Sequence, residues 1–550
     1  MDVSHHDTIA AGLRRWSEAC RLRADEIAAF PNRLSEPEPD RRPLPRAWGL
    51  IGLLTVLALI PRCLMAWRLP TICVDGAAYI DAAQAIARGE AGFFGVNFGC
   101  NLYPPILAAL HYLGLSWEAA GAVWGVACST LVVPSLFGWV RRQFDDRVAA
   151  VSCLIYAAHA ELIEWSPETI RDQTFWMLFV ASLYFLWRAV VEVRLRHFFL
   201  VGLLLPASVL TRFEGVFLLI PLVGWSWARY RALQSHRKQL LLGVIVAVGI
   251  APVLLATMNA VWLKQESISR LLYVEPLNRV EALLTTLAKP LTSDASTAIA
   301  TPEATVRPSP WQPAVWFKAF RVMERGIGPV FGLFFLGGLI AYGRLFLRSD
   351  HFSTVVLALA IVAGITIHHW YCGGASSRYI LPVVIMSTRC AALAFMRVCD
   401  IAIQALTNAT YRAALVPAMI LLMTTIGWCD ALTTGYRTRI EKAKLGEWIR
   451  HHHGDRCLLM GADTQLPIIG FYAHARTAML PENIAQEKLL TTIDQARPDV
   501  VFVSRSPLSA DACRSLQHDG PRLGLQPMML PPQIVGRMDA LVLERLPTQR

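Results

Sequence analysis

Residues 48–81 read WGLIGLLTVLALIPRCLMAWRLPTICVDGAAYID. The run from 48 to 66 is almost entirely apolar and has about the length, roughly 20 residues, that a helix needs to cross a bilayer. A single carboxylate, Asp75, follows just beyond this run. Because an ionised side chain at the mouth of a helical bundle is costly unless it has a function, we expect Asp75 to handle a proton or a charge.

The composition extends this prediction to the whole chain. Hydrophobic residues make up 54% of the 550 residues and charged residues only 17%, which is far from the composition of a soluble globular protein. The first apolar run follows a polar stretch and therefore predicts a retained anchor. The 12 cysteines show no metal-ligand spacing and are typical of small buried residues, although Cys73 and Cys100 share one loop and could form a disulfide.

The net charge of +11 does not indicate nucleic acid binding, because of where the basic residues lie. They cluster in the short gaps between apolar runs, at Arg41, Arg42 and Arg46; Arg141, Arg142 and Arg147; Arg188, Arg194 and Arg196; Arg229, Arg231, Arg237 and Lys238; and Arg344 and Arg348. Every second gap is rich in arginine and the gaps between are poor. This is the positive-inside pattern, and it predicts a cytoplasmic N-terminus.

The apolar runs predict about eleven transmembrane helices. They lie near 48–66, 117–139, 148–164, 174–191, 197–210, 215–228, 240–262, 327–343, 353–369, 379–396 and 412–430, and the fifth and sixth are short. We expect three segments: a cytoplasmic segment 1–46, a membrane domain 47–430, and a domain 431–550 on the extracytoplasmic side. Residues 8–30 are typical of either an amphipathic surface helix or a solvated tail, and 31–46 of a linker.

The last segment has a different pattern and predicts a small α/β domain. We expect helices at Leu445–His452 and around 482–496, and strands at Cys457–Gly461 and Asp499–Ser504. The adjacent histidines 451–453 point in different directions on a helix, so they do not form a metal site.

Charged and aromatic residues from separate loops fall on the predicted extracytoplasmic face. They are Asp75, Tyr79, Tyr103, Glu168, Arg171, Asp172, Arg212, Glu214, Arg378 and Tyr379. Each has a structural alternative: Arg212 with Glu214 could form a structural ion pair, and Glu168 with Arg171 could cap a helix. Tyr103-Pro104-Pro105 could be only a turn. The shared face nevertheless favours one common site.

These motifs, in this order, resemble the GT-C superfamily of integral-membrane glycosyltransferases. The resemblance is greatest to its bacterial branch related to protein O-mannosyltransferases and aminoarabinose transferases, and it covers roughly 48–400 and, in outline, the tail. It rests on Asp75 with Tyr79, Tyr103-Pro104-Pro105, Ser166-Pro167-Glu168, Arg212-Phe213-Glu214-Gly215 and Arg378-Tyr379-Ile380-Leu381-Pro382. One departure is Gly76, where many members have glutamate, so a role for a second carboxylate, including metal binding, is not carried over.

The resemblance implies transfer of a sugar from a polyprenyl-phosphate donor on the extracytoplasmic face, by a single displacement with inversion. Asp75 would be the general base, because the acceptor hydroxyl must lose a proton as it attacks. Arginines bind phosphate oxygens in bidentate fashion, so Arg378, Arg212 and Arg171, in that order, are the candidates for the donor phosphate. Tyr79, Tyr103, Glu168, Asp172 and Tyr379 are further substrate-site candidates.

The expected partners are the lipid-linked donor, an envelope acceptor (a lipid, a glycan or a protein) and the bilayer of the inner membrane. No cofactor is expected, and dependence on a divalent metal stays open.

Two other functions are compatible with a polytopic chain. A transporter or flippase of lipid-linked saccharides would carry charges near the bilayer midplane and broken helices in matching halves. The interiors of the predicted spans are nearly free of charge, and no internal repeat is visible. A non-catalytic membrane assembly protein is the third possibility, and the carboxylates and arginines on one face count against it.

Overall fold

The structure, a computed structural model, describes residue 34 and residues 47–69, 71–90, 101–233, 235–262, 313–372, 374–433, 437–480, 486–504, 510–531 and 540–546. The helix or tail expected at 8–30 lies outside these residues, and so does Cys100, the second cysteine of the expected disulfide. Both stay predictions.

Helices occupy all eleven places where the sequence predicts a span. The helices up to residue 433 are α1 (Trp48–Arg68), α2 (Val74–Ala87), α3 (Tyr103–Tyr112), α4 (Trp117–Gln143), α5 (Asp146–Ala158), α6 (Ala160–Glu164), α7 (Asp172–Glu192), α8 (Leu195–Thr211), α9 (Leu219–Ala232), α10 (Arg237–Trp262), α11 (Pro313–Ile327), α12 (Pro329–Phe346), α13 (Ser349–Cys372), α14 (Leu381–Ala405) and α15 (Ala409–Thr433), with 3₁₀ turns at Phe213–Leu218 and Ser377–Ile380. The fold class predicted from the sequence, a helical polytopic membrane protein, is confirmed.

Eight helical segments of the described chain are long and apolar enough to cross a membrane. They begin at Trp48, Trp117, Asp172, Arg237, Pro329, Ser349, Ser377 and Ala409. The other three predicted spans are shorter or interrupted. The extended backbone of His159 separates α5 from α6, α8 has 17 residues, and a 3₁₀ turn precedes the 14 residues of α9.

The centre of the bundle is formed by α4, α7 and the span that begins at Ser377. Their apolar windows are 61%, 72% and 78% buried, against 33% for α1 and 17% for α10. The outer helices expose large apolar side chains, such as Trp67 at 82% and Ile340 at 77%. Since lipid tails are as apolar as these side chains, an outer surface of this kind needs no further cover in a membrane.

Arg62 and Arg389 are buried well inside their spans, so the expectation that span interiors are nearly free of charge was only partly right. Arg62 on α1 is fully buried and donates to the carbonyl oxygens of Ala58, at 2.7 Å, and Tyr156, at 3.5 Å. Arg389 on α14 is 4% exposed and bonds to the side chains of Gln143 and Thr354. Both arginines find neutral hydrogen-bond partners inside the bundle.

The segment between α6 and α7 rests directly on α4, and this contact positions the residues described below. A side chain on Gly121 would collide with the side chain of Thr169, and one on Gly125 with the carbonyl oxygen of Ser166. Glycine at both positions therefore lets the backbone of the segment approach the helix closely.

The described residues between 437 and 546 have the α/β pattern that the sequence predicts for the tail. Its elements are α16 (Arg437–His453), β1 (Leu458–Gly461), α17 (Leu466–Ala473), β2 (Arg476–Met479), α18 (Gln486–Ala496), β3 (Val500–Ser504), α19 (Ala510–Asp519), β4 (Leu525–Pro527) and β5 (Ala540–Arg545), with a 3₁₀ turn at Gly520–Leu523. The sheet order is β2-β1-β3-β5-β4; β1 is parallel to β2 and β3, and β5 is antiparallel to β3 and β4. One apolar cluster lies beneath α16 and α17 and another beneath α18 and α19.

The α/β domain packs against the start of α2. Phe471 and Tyr472, at the end of α17, contact the buried apolar cluster that includes Ile72, Cys73 and Ala77. The N–H of Ile72 also donates to the hydroxyl oxygen of Tyr472 at 3.3 Å. The domain therefore lies on the side of the bundle where α2 begins.

Candidate functional site

Asp75 lies in the first turn of α2, where a carboxylate is stabilised by the positive end of the helix dipole. The sulfur of Cys73 caps this helix by accepting the N–H of Gly76 at 3.3 Å. The Asp75 side chain is 39% exposed, so it is open to solvent while its backbone is held in place. It is therefore accessible to a reacting hydroxyl group.

A side chain at position 76 would be in tight contact with the segment between α6 and α7. A Cβ at this position would lie 3.1 Å from the carbonyl oxygen of Thr169 and 3.2 Å from its Cβ. The glycine that departs from the family pattern is thus matched by the close approach of the segment between α6 and α7. The second carboxylate is absent, and a Cβ at its position would be crowded by Thr169.

Arg378 is the direct partner of Asp75. Its Nη2 donates to Oδ2 of Asp75, and its Nε lies 3.9 Å from Oδ2 of Asp172. The guanidinium is 11% exposed and stacks near the rings of Trp165, at 5.4 Å, and Tyr379, at 5.3 Å. Its buried Nε has no hydrogen-bond partner among the described residues. Arg378 is therefore a cation held in place between the carboxylates of Asp75 and Asp172.

Asp172 joins Arg378 to a second arginine. Arg212 donates to Oδ1 of Asp172, and its Nε donates to Glu214 at 3.2 Å. The guanidinium lies 4.6 Å from the ring centre of Tyr379. The predicted structural pair of Arg212 with Glu214 thus exists, and the same arginine also belongs to the charged chain that leads to Asp75.

The resulting chain, Asp75–Arg378–Asp172–Arg212–Glu214, alternates in charge. Three carboxylates face two arginines, which leaves one formal negative charge. Burial alone would lower the pKa of Arg212, but the charges of Asp172 and Glu214 raise it above its ordinary value. Both arginines therefore stay charged at neutral pH.

Arg171 lies close to this chain. It is partly buried, and its positive charge opposes the rise that burial causes in the pKa of Tyr79. Arg171 also lowers the pKa of Glu214, although burial and Arg212 have the larger effects. Its charge can therefore contribute to binding an anion near Tyr79.

Glu168, Tyr79 and Tyr103 are buried behind Asp75. Glu168 has a side chain 1% exposed and forms an ion pair with Arg439 of α16, so it joins the bundle to the α/β domain. The rings of Tyr79 and Tyr103 meet edge to face with centres 5.2 Å apart. Burial raises the pKa of both phenols, which keeps them neutral. In this conformation these three residues support the site from inside.

Sequence reasoning missed Glu161, which anchors the segment that carries Arg378. Its Oε2 accepts from the hydroxyl of Ser377 at 2.8 Å and from Nε1 of Trp165 at 2.7 Å. Arg325 of α11 donates to its other oxygen at 3.2 Å. The only sequence signal was a carboxylate at the end of an apolar run, which also fits an ordinary helix end.

No group of three or more histidine, cysteine, aspartate or glutamate side chains in the described part of the chain is arranged to hold a metal ion. Of the three adjacent histidines at 451–453, His453 lies with its Nε2 3.3 Å from a carboxylate oxygen of Glu544. The charged chain instead offers arginines, which suit a phosphate, and one accessible carboxylate, which suits a proton.

Comparisons with known proteins were made with both sequence and structure. The family described as dolichyl-phosphate-mannose-protein mannosyltransferase matches residues 102–255. No curated protein matches the chain.

Solved structures share the fold over most of the chain. AglB, an archaeal oligosaccharyltransferase from Archaeoglobus fulgidus solved with an inhibitory peptide and a dolichol-phosphate, is 13% identical with a TM-score of 0.53, and the match covers 84% of this chain and 70% of that one. ArnT from Cupriavidus metallidurans, solved with undecaprenyl phosphate, is 13% identical with a TM-score of 0.52, and the match covers 91% of this chain and 99% of that one. These findings confirm the resemblance seen in the motifs: the chain shares its fold with AglB and ArnT, and residues 102–255 are similar to the mannosyltransferase family.

Proposed function

We propose that this protein transfers a sugar from a polyprenyl-phosphate-linked donor to an envelope acceptor on the extracytoplasmic face of the inner membrane. The observation that carries the proposal is the contact between Asp75, an accessible carboxylate, and Arg378, a largely buried arginine. A candidate base, Asp75, and a candidate phosphate-binding arginine, Arg378, thus lie side by side at one end of the bundle. The presence of polyprenyl phosphates in the structures of AglB and ArnT supports a lipid-linked donor.

The reaction is a single displacement with inversion. The acceptor oxygen attacks the anomeric carbon, and its proton passes to the carboxylate of Asp75. The bond from the anomeric carbon to the phosphate oxygen breaks, and the lipid phosphate leaves with the bonding electrons. Because that leaving group is already an anion, it needs fixed cations and no general acid.

Arg378 supplies the first of these cations. Its pairing with Asp75 holds both side chains in the resting state, and a donor phosphate would compete with Asp75 for the same guanidinium. Binding of the donor then frees the carboxylate at the moment when a base is needed. Arg212 and Arg171 lie further along the same group of charges and add to the positive potential at the phosphate.

Asp75→Asn tests the assignment of the base. The amide keeps the shape of the side chain and cannot accept the proton, so transfer of radiolabelled sugar from a polyprenyl phosphate in membranes should fall about 10²- to 10⁴-fold. Asp81→Asn is the matched control, since Asp81 is an exposed carboxylate on the same helix. A near wild-type rate in a normally expressed Asp75→Asn protein would show that the base lies elsewhere.

The orientation of the chain is part of the proposal. The arginine-rich gaps favour a cytoplasmic N-terminus. The contact of Tyr472 with Ile72 supports a location for the α/β domain on the same face as Asp75. Alkaline phosphatase fused after Arg550 should be active, and a fluorescent protein that matures only in the cytosol should stay dark there. The opposite result would place the site on the cytoplasmic face.

A further inference from the structure

We infer that the α/β domain positions Asp75 and Asp172. It does so through Tyr472, which bonds the backbone before α2, and Arg439, which pairs with the segment between α6 and α7; the site is incomplete without these two contacts. The inference rests on the proposed role of Asp75, and it assigns to residues of the tail a task that no motif in the sequence indicates. Both residues act through other groups, so they are positioning residues.

The first contact fixes the backbone that leads into α2. The hydroxyl oxygen of Tyr472 accepts the N–H of Ile72 at 3.3 Å. This amide lies one residue before Cys73, the cap of α2, and three before Asp75. Tyr472 comes from a part of the chain 400 residues away, so the bond ties the domain to the start of the helix. Loss of this bond would allow the backbone before α2 to move, and this backbone determines where the Asp75 side chain points.

The second contact fixes the segment between α6 and α7. Arg439 of α16 pairs with Glu168, whose side chain is 1% exposed. This segment also carries Thr169, which covers Gly76, and it runs directly into Asp172, the neighbour of Arg378. Without Arg439, Glu168 would be a buried carboxylate with its main partner removed, which is a strongly unfavourable arrangement.

The two contacts hold the two parts of the chain that face Arg378. Asp75 reaches Arg378 from the start of α2, and Asp172 reaches it from the start of α7. Displacement of reacting groups by about 1 Å is enough to cost on the order of a hundredfold in rate. A domain with no catalytic group of its own can therefore control turnover through the placement of these two carboxylates.

The test for the first contact is Tyr472→Phe in the full-length protein, with Tyr112→Phe as its control. Both changes remove one phenol hydroxyl that bonds to the backbone next to α2, because the Tyr112 hydroxyl donates to the carbonyl of Ala87 at 2.8 Å. Tyr472 acts at the end of the helix that carries Asp75, and Tyr112 acts at the opposite end. Tyr112 is also more exposed than Tyr472, and its hydroxyl donates where that of Tyr472 accepts, so the control reports on the loss of a phenol hydroxyl bonded near α2 but away from the site.

We expect two results from this pair. In Tyr472→Phe, hydrogen exchange of the amides at 71–77 should be faster by up to about tenfold, as expected when one partly buried hydrogen bond is lost. The turnover rate should fall by about tenfold with an unchanged apparent affinity for the donor. Tyr112→Phe should change neither the exchange at 71–77 nor the rate. Loss of turnover without loss of donor affinity separates positioning from general destabilisation.

The test for the second contact is Arg439→Gln, with Arg450→Gln as its control. Both arginines lie on α16 and pair with a carboxylate, but the pair of Arg450 with Asp455 is exposed. Arg439→Gln should reduce turnover by at least about tenfold, and adding Glu168→Gln should restore part of it because the buried charge is removed with its partner. Arg450→Gln should have no effect.

These measurements distinguish failure of the inference from failure of the proposed function. The hydrogen exchange experiment needs no substrate, so it reports on the positioning even if the wild-type protein transfers no sugar. Unchanged exchange at 71–77 in Tyr472→Phe, or wild-type turnover in both Tyr472→Phe and Arg439→Gln, would overturn the inference.

Discussion

Arg378 and Arg389 are both buried arginines, and their surroundings differ. Arg378 meets carboxylates on two sides, and one of them, Asp75, is 39% exposed. Arg389 meets the neutral side chains of Gln143 and Thr354 and lies 4.7 Å from the ring centre of Trp139. An arginine paired with an accessible carboxylate can exchange that anion for a phosphate. Arg389, which donates hydrogen bonds to neutral groups of α4 and α13, can hold these two helices to α14.

The two arginines also lie toward opposite ends of α4. The segment that supports Arg378 packs on Gly121 and Gly125, near the beginning of that helix, and Arg389 contacts Gln143, its last residue. The end that carries Arg378 and its carboxylates is thus the end where the α/β domain packs. The difference shows that burial alone does not distinguish the two arginines; the exposure and charge of their hydrogen-bond partners do.

Removal of Asp172 should have the largest effect on stability. Asp172→Asn leaves two buried arginines with one carboxylate fewer, and breaking a buried pair in this way costs about 3–5 kcal/mol. The thermal unfolding midpoint in detergent, followed by tryptophan fluorescence, should fall markedly. Asp146→Asn is the control, since Asp146 is 53% exposed beside Arg141, and it should cost under about 1 kcal/mol. Equal midpoints for the two variants would contradict the buried network.

Substitution of Arg378 and of Arg389 by lysine should have different effects, on the rate of sugar transfer in the first case and on stability in the second. Arg378→Lys keeps the charge and loses the planar fork, so transfer should fall about 10- to 100-fold, the value of one charge-assisted hydrogen bond. Arg389→Lys should lower the unfolding midpoint and leave the rate per folded molecule unchanged. The comparison fails if Arg378→Lys transfers sugar normally or if Arg389→Lys loses activity while it remains fully folded.

Lowering the pH should destabilise the folded protein through protonation of Glu214, and by less than the loss of Asp172 does. Burial raises the pKa of Glu214, but Arg212 outweighs this and brings it to about 2, below the ordinary 4.5. A carboxyl with a lowered pKa in the folded protein stabilises it above pH 4.5 and loses this contribution as the pH falls from about 4.5 towards 2.

Because the Glu214 side chain is 24% exposed, we expect about 1–2 kcal/mol over that range. Glu214→Gln should flatten the dependence of the unfolding midpoint on pH between about 5 and 2. A midpoint that falls equally steeply in this variant would assign the acid sensitivity to other carboxylates.

The positions of the helices could be predicted from the sequence because the bilayer fixes the length of an apolar run. Asp75, Asp172, Arg212 and Arg378 could be proposed as neighbours because they follow or precede such runs on one predicted face, and the structure brings these four into one chain of contacts. Their chemical roles stay proposals. Arg62 and Arg389 were overlooked because a single charge barely changes the average hydrophobicity of a span.

The remaining contacts of the site could not be predicted, since they join distant parts of the chain without a local pattern. Glu161 binds the hydroxyl of Ser377 across 216 residues, and Glu168 pairs with Arg439 across 271. An isolated glutamate near the end of a helix is common, and its partner depends on how the helices pack. Only the folded structure gives that information.

The pair of Glu168 with Arg439 has a consequence for the order of events during synthesis. At about 5–20 residues per second, the ribosome needs roughly 15–50 s to make the 271 residues between them. During that interval the nascent bundle holds a carboxylate whose cation has not yet been made, so Glu168 must stay in contact with water or carry a proton. The ion pair that ties the segment leading into Asp172 to the α/β domain can therefore form only after Arg439 has been made, and a polypeptide still attached to its ribosome before that point lacks this link.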